Sequence, residues 1–158
     1  MIFSKTAANI GRILTERNEK VCVAESSTGG LISANLLSVS GASAFYEGGS
    51  VVYTLASRRA FLDLDRERLQ GLEPLTEAMV IEFARSARAG LDCTWAIAEL
   101  GAAGPSGSPY GHSAGTSVIG IVGPIICSTT ITTSSDHRAD NMAAFTKGAL
   151  MLFETALS

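Results

Sequence analysis

Apolar positions recur along this chain with two different periods, and the alternation between them predicts its elements. Ile10, Ile13 and Leu14 stand at helical spacing within residues 6–19, which predicts an amphipathic first helix. Val21-Cys22-Val23-Ala24 is a short apolar run and predicts a strand. Leu31, Ile32, Leu36 and Leu37 return to helical spacing, giving a second helix over about 28–38. The β-branched run 50–54 predicts a strand, and 57–62 a short helix followed by a polar connection with Gly71 and Pro74. Thr76-Glu77 opens a third long helix with Met79, Phe83 and Ala87 on one face. Residues 94–100 predict a strand, and 115–122 and 125–132 two more, joined by a tight turn at Gly123-Pro124. Ser135 or Asp136 caps a last helix whose buried stripe is Phe145, Leu152, Phe153 and Ala156.

Helices before, between and after about five strands require cover on both faces of a sheet. The expected fold is therefore a three-layer α/β/α sandwich with a mixed, mostly parallel sheet, in one domain spanning residues 1–158. A chain of 158 residues is long enough to build such a core alone. The Gly/Pro/Ser-rich run 104–113 is the one extended loop expected.

The densest chemistry lies at the end of the first strand, where Glu25-Ser26-Ser27-Thr28-Gly29-Gly30 leads into the second helix. Small hydroxyls beside the first free N–H groups of a helix suit attack on a carbonyl or the holding of an anion. Ser27 or Thr28 serving only as a helix cap explains the same residues, and both readings stand on the segment alone. Arg138 falls near the start of the last helix, where a cation is mildly disfavoured, so an anionic partner is expected there.

Composition narrows the function classes. Charged residues are 17% of the chain and apolar ones 46%, which fits a compact domain with surface hidden in an oligomer. A net charge of −3 without a basic cluster argues against nucleic acid as a partner. No apolar run approaches the roughly 18 residues of a membrane span, and Met1 to Lys5 does not open a signal peptide. Cys22, Cys93 and Cys127 lack C-x-x-C spacing and read as reduced, buried thiols of a cytoplasmic protein. His112 and His137 have no ligand-spaced partners, so neither a metal nor a cofactor is expected.

Four segments together carry a resemblance. Ala24 to Gly30, Gly41-Ala42-Ser43-Ala44-Phe45-Tyr46-Glu47-Gly48-Gly49, Leu100 to Pro105 and Ala114 to Val118 follow one another at fixed spacing. In order and spacing the chain resembles the C-terminal domain of the competence/damage-inducible protein A family, CinA, from about residue 5 onward. That family includes stand-alone nicotinamide mononucleotide amidohydrolases. The resemblance implies a carboxamide hydrolase with Ser26 as nucleophile, Tyr53 in the site and Arg138 gripping the phosphate of a nicotinamide mononucleotide-like ligand. It also implies association as a homodimer. Glu25, Ser27, Thr28, Gly29, Gly30, Gly101 and Gly104 would complete the substrate and phosphate site.

The resemblance breaks at the base. The family pattern Y-S-N-E-A-K places a lysine five residues beyond the tyrosine, where this chain reads Tyr53-Thr54-Leu55-Ala56-Ser57-Arg58. A buried lysine can be neutral near pH 7 and accept a proton, whereas an arginine stays charged. Leu100 replaces the threonine of T-G-I-A-G-P, Ser113-Ala114 replaces a proline-valine pair, and Met142 replaces a second arginine. Two readings follow from these departures. One is an amidohydrolase with weakened catalysis, with Ser26, Tyr53 and Arg58 in the catalytic positions. The other is a nucleotide- or phosphate-binding module that has lost its general base.

Overall fold

A computed structural model describes residues 3–158; Met1 and Ile2, on which the reading of the N-terminal pentapeptide and the first residues of the domain partly rests, lie outside the described residues. The elements are α1 (Ser4–Arg17), β1 (Val21–Glu25), α2 (Leu31–Leu37), β2 (Tyr46–Val51), α3 (Leu55–Leu62), α4 (Glu77–Leu91), β3 (Trp95–Ala102), β4 (Thr116–Val122), β5 (Ile126–Thr132) and α5 (Arg138–Ala156). A short 3-10 turn, Ala42–Ala44, precedes β2.

The five strands form one sheet in the order β2-β1-β3-β4-β5. β1 pairs in parallel with β2 and β3, while β3–β4 and β4–β5 are antiparallel. The sheet is mixed as expected, but its parallel and antiparallel pairings are equal in number, not mostly parallel. The reason lies in the connections: helices return the chain between β1, β2 and β3, whereas only a loop separates β3 from β4, and a loop supports antiparallel neighbours.

Alternation along β1 and β3 sorts the core into two layers. Cys22, Ala24, Ala96, Ala98 and Leu100 face α3 and α4, with Phe83 and Val80 fully buried against them. Val21, Val23, Trp95 and Ile97 face α1, α2 and α5, where Ile10, Leu14, Ile32, Leu150 and Phe153 pack. Trp95 and Phe153 meet edge to face at 5.6 Å between ring centroids. Cys22 and Cys93 are buried and Cys127 is half-buried, and all three are free thiols. Burial pushes the Cys22 thiol well up, and its neighbour Cys93 adds to the shift. Among the described residues no helix is long and apolar enough to cross a membrane.

Three departures from the sequence expectation bear on the site, each for a local reason. α2 begins at Leu31, not near Thr28, because Gly29 and Gly30 both take positive φ (64° and 101°) and turn the chain before the helix. β2 runs Tyr46–Val51, not 50–54, so Tyr53 lies just past the strand in the connection to α3. Neither Ser135 nor Asp136 caps α5. The flanking residue is His137, without a side-chain cap, and Ser135 Oγ is occupied accepting the His137 N–H.

Candidate functional site

β1 sends its chain through α2 to β2 on one side, while β3 lies on its other side. The carboxyl ends of β1 and β3 therefore flank the point where strand order reverses, the usual crevice for a ligand in an open α/β sheet. A cavity of about 530 Å³ opens there. Its floor is Ser26 and Ser27 after β1 and Leu100 to Ala102 at the end of β3. α3 contributes Leu55 and Arg58, α4 contributes Met79, and the loop 103–110 covers one side. Arg138 and Tyr53 stand at the rim, both exposed.

Of the residues named from the sequence, the structure brings Ser26, Ser27, Tyr53, Arg58, Gly101, Gly104 and Arg138 to this one cavity. Glu25, Thr28, Gly29 and Gly30 do not line it. Glu25 is fully buried on the α2 side of the sheet, where its carboxylate accepts from the Ile32 and Ser33 N–H groups (3.0 Å each) and the Ser33 hydroxyl. It thereby serves the first turn of α2, whose flanking Gly30 offers no side chain. The methyl of Met142 packs toward Gly29.

Glu99 is the residue the sequence reading passed over. It sits on β3 beside Glu25 in register, facing the same side, and is fully buried. Its Oε2 accepts from the backbone N–H groups of Ser26 and Thr28 at 3.1 Å each, and its Oε1 accepts from the hydroxyls of Ser27 and Ser117. The Thr28 hydroxyl lies 2.6 Å from Glu25 Oε2 and 3.0 Å from Glu99 Oε2, linking the two carboxyl groups. These bonds fix the Ser26–Thr28 turn and take up the Thr28 N–H, one of the N–H groups near the start of α2 that could otherwise hold an anion. The signal was available: a carboxylate inside the apolar run 95–100 must be buried, and a buried carboxylate needs partners.

Burial pushes the Glu99 carboxyl up from 4.5, and the hydrogen bonds from Ser27, Thr28 and Ser26 only partly oppose it. The folded chain thus holds this proton more tightly than the unfolded one. The linked stability is present below about pH 4.5 and is lost as pH rises through the folded value. Glu99→Gln keeps an acceptor for the Ser26 and Thr28 N–H groups and turns an amide donor toward the Ser27 and Ser117 hydroxyls. The variant is expected to unfold at higher urea than the parent at pH 8, with the gap closing toward pH 4.5. A variant less stable than the parent at pH 8 would show that the hydrogen bonds to the carboxylate outweigh its burial.

The two arginines are held differently. Arg138 donates from Nη1 to the Gly104 carbonyl (2.6 Å) and from Nη2 to the Tyr53 hydroxyl (3.2 Å), joining three segments of the rim. Arg58 donates from Nε to the Val52 carbonyl (3.4 Å) and stacks over the Phe83 ring at 5.1 Å. Burial pulls the Arg58 guanidinium down, with Tyr110 opposing, yet an arginine starts so high that it remains a cation. Asn141, also unread in the sequence, is buried on α5 and donates to the carbonyls of Ala103 and Ser135 (2.8 Å each), tying the cavity loop to the helix. Among the described residues no cluster of three or more His, Cys, Asp or Glu side chains is placed to hold a metal.

The profile of the CinA C-terminal domain matches residues 3–157. A CinA-like protein of Prochlorococcus marinus (strain AS9601) is 38% identical over 113 residues, covering 72% of this chain and 27% of that protein. A CinA-like protein of Chlorobium limicola is 34% identical over 148 residues, covering 89% of this chain and 34% of its own length. The chain thus spans about a quarter to a third of the length of these curated relatives. The crystal structure of a competence-damaged protein (CinA) superfamily protein from Klebsiella pneumoniae superposes with a TM-score of 0.90 at 26% identity, covering 98% of this chain and 96% of that one. The competence/damage inducible protein CihA from Agrobacterium tumefaciens gives 0.88 at 26% identity, covering 98% and 94%.

Proposed function

We propose that this chain, which belongs to the CinA C-terminal domain family, hydrolyses a carboxamide on a phosphorylated nucleotide, with nicotinamide mononucleotide as the substrate the family resemblance implies. One observation carries the reading: a single cavity of about 530 Å³ joins two serine residues at its floor to two guanidinium groups on its walls. The volume suits a nucleotide-sized ligand. Serine hydroxyls supply the nucleophile for acyl transfer, and cations fit both a phosphate and a developing oxyanion. Arg138 is poised to exchange its contacts with Gly104 and Tyr53 for the phosphate, through two parallel hydrogen bonds.

A second reading rests on Arg58. It stands where the family lysine is expected and cannot act as the proton acceptor, which favours a module that binds the phosphorylated ligand without turning it over. Ammonia release from nicotinamide mononucleotide separates the two, since both require binding and only the first requires turnover. A chain that takes up the nucleotide in calorimetry and releases no ammonia is the binding module.

Arg138→Ala tests the phosphate contact in either case. Charge-assisted hydrogen bonds contribute about 1.5–3 kcal/mol, so the variant should raise the Kd for the mononucleotide about tenfold or more. Affinity for nicotinamide riboside, which lacks the phosphate, should change little. Equal loss for both ligands would remove Arg138 from the phosphate site.

A further inference from the structure

We propose that Glu99 is the proton acceptor that activates Ser27, and that this serine–carboxylate pair replaces the serine–lysine arrangement the family resemblance implies. The inference rests on the hydrolase reading for its substrate, but the pair itself is read from geometry. Ser27 Oγ donates directly to Glu99 Oε1, and Ser27 lines the cavity while Glu99 lies wholly beneath it. Ser26 reaches the same Glu99 only through its backbone N–H, and among the described residues its hydroxyl makes no such bond to the carboxylate. Only one of the two cavity serines therefore has a base attached.

The carboxylate is also fixed in place. Oε2 is held by two backbone N–H groups and the Thr28 hydroxyl, and Oε1 is shared between Ser27 and Ser117. The Ser117 hydroxyl has a second acceptor in the Leu100 carbonyl at 3.1 Å, so it can turn away as Oε1 takes a proton. Burial raises the Glu99 carboxyl, which brings its basicity closer to neutral pH, where a general base works best.

The steps balance as an ordinary acyl transfer. Ser27 Oγ forms a bond to the carboxamide carbon as its proton passes to Glu99 Oε1. The carbon–nitrogen bond then breaks, and the departing ammonia takes the proton from Glu99. Water attacks the resulting Ser27 ester, giving a proton to Glu99, and the carbon–Oγ bond breaks with that proton returned to Ser27. Arg58 lines the same cavity and remains positively charged, so it serves the oxyanion and leaves the proton transfers to Glu99.

Two measurements test the pair. The first is the rate of ammonia release for the parent, Ser27→Ala and Glu99→Gln. Ser27→Ala should abolish turnover, and Glu99→Gln should lower kcat about a hundredfold to ten-thousandfold with KM nearly unchanged. The second is labelling by phenylmethanesulfonyl fluoride, in which Oγ displaces fluoride at sulfur, with the modified residue located by peptide mass spectrometry. The adduct should sit on Ser27 and form at a rate that rises with one ionisation and falls at least a hundredfold in Glu99→Gln. The groups able to disturb that ionisation are Glu25, reached through Thr28, and Arg58 and Arg138, which line the cavity; β4 presents only Ser117.

The outcomes are distinct. Labelling of Ser27 that depends on Glu99, without amide turnover, keeps the pair and overturns the amide substrate. Turnover with the adduct on Ser26, or with Glu99→Gln as fast as the parent, overturns the pair and keeps the hydrolase reading. Neither turnover nor labelling overturns both. Should Glu99→Gln fail to fold, the position of the adduct on the parent chain still decides, because fragment ions cleaved between Ser26 and Ser27 distinguish the two sites.

Discussion

Gly101→Ala is expected to slow hydrolysis about a hundredfold or more while lowering stability by about 1–3 kcal/mol. A methyl group at this position would overlap the Ser27 hydroxyl oxygen and lie 2.8 Å from Glu99 Oε1 and 3.1 Å from Phe145 Cε2. Phe145 is fully buried and cannot withdraw, and Glu99 is held by its ring of donors. The strain therefore falls on Ser27, whose hydroxyl must leave Glu99. The position is in the β3–β4 ladder, opposite Ser117, so the backbone has little freedom to move aside. Combining Gly101→Ala with Ser27→Ala removes the clashing oxygen but leaves the 2.8 Å approach to Glu99 Oε1, so the pair should recover part of the lost stability with no recovery of rate. Neighbours that share one clash are not additive, so the double variant should be more stable than the sum of the singles. Urea midpoints and ammonia release on the four proteins give the answer. A Gly101→Ala protein with the parental rate would place the reacting serine elsewhere.

How the site was legible depends on what each residue must do. The turn after β1 could be read because an apolar run ending in small hydroxyls and two glycines has few other conformations. Arg138 could be singled out because a cation at a helix start is locally disfavoured, and the structure sets it at the rim of the cavity. β2 was misplaced because its middle is Gly48-Gly49, which propensity counts against a strand. Here those glycines allow close packing: a side chain at Gly49 would come within 2.6 Å of the Tyr46 hydroxyl and 3.0 Å of the Val23 carbonyl. Glu99 was missed because period and propensity identified its strand without asking what a carboxylate does inside one. Asn141 was missed for a related reason. Nothing local distinguishes a helical asparagine that faces solvent from one that holds the carbonyl of a distant loop and that of the segment before its own helix.

The largest expected loss of stability follows from Phe83→Ala. Phe83 is fully buried on α4, in the layer built with Ala96, Ala98, Leu100 and Val118 from the sheet. Removing a buried phenyl group costs about 3–5 kcal/mol, a large share of the roughly 5–15 kcal/mol that holds a domain together. The expected drop in Tm is about 10 °C for a chain of this size. Phe83 also forms the surface on which the Arg58 guanidinium rests, 5.1 Å from the ring centroid, and that contact adds about 0.5–2 kcal/mol. Phe83→Leu separates the two roles. It retains most of the apolar volume, so it should lose much less stability than alanine, but it takes away the aromatic face beneath Arg58. If that face positions the guanidinium for the oxyanion, Phe83→Leu should lower kcat more than Arg138→Ala does, while leaving the Kd for the phosphorylated ligand closer to the parental value. A leucine variant with parental kcat would mean that Arg58 is held by its bond to the Val52 carbonyl and by the cavity wall, and that Phe83 matters to the core alone.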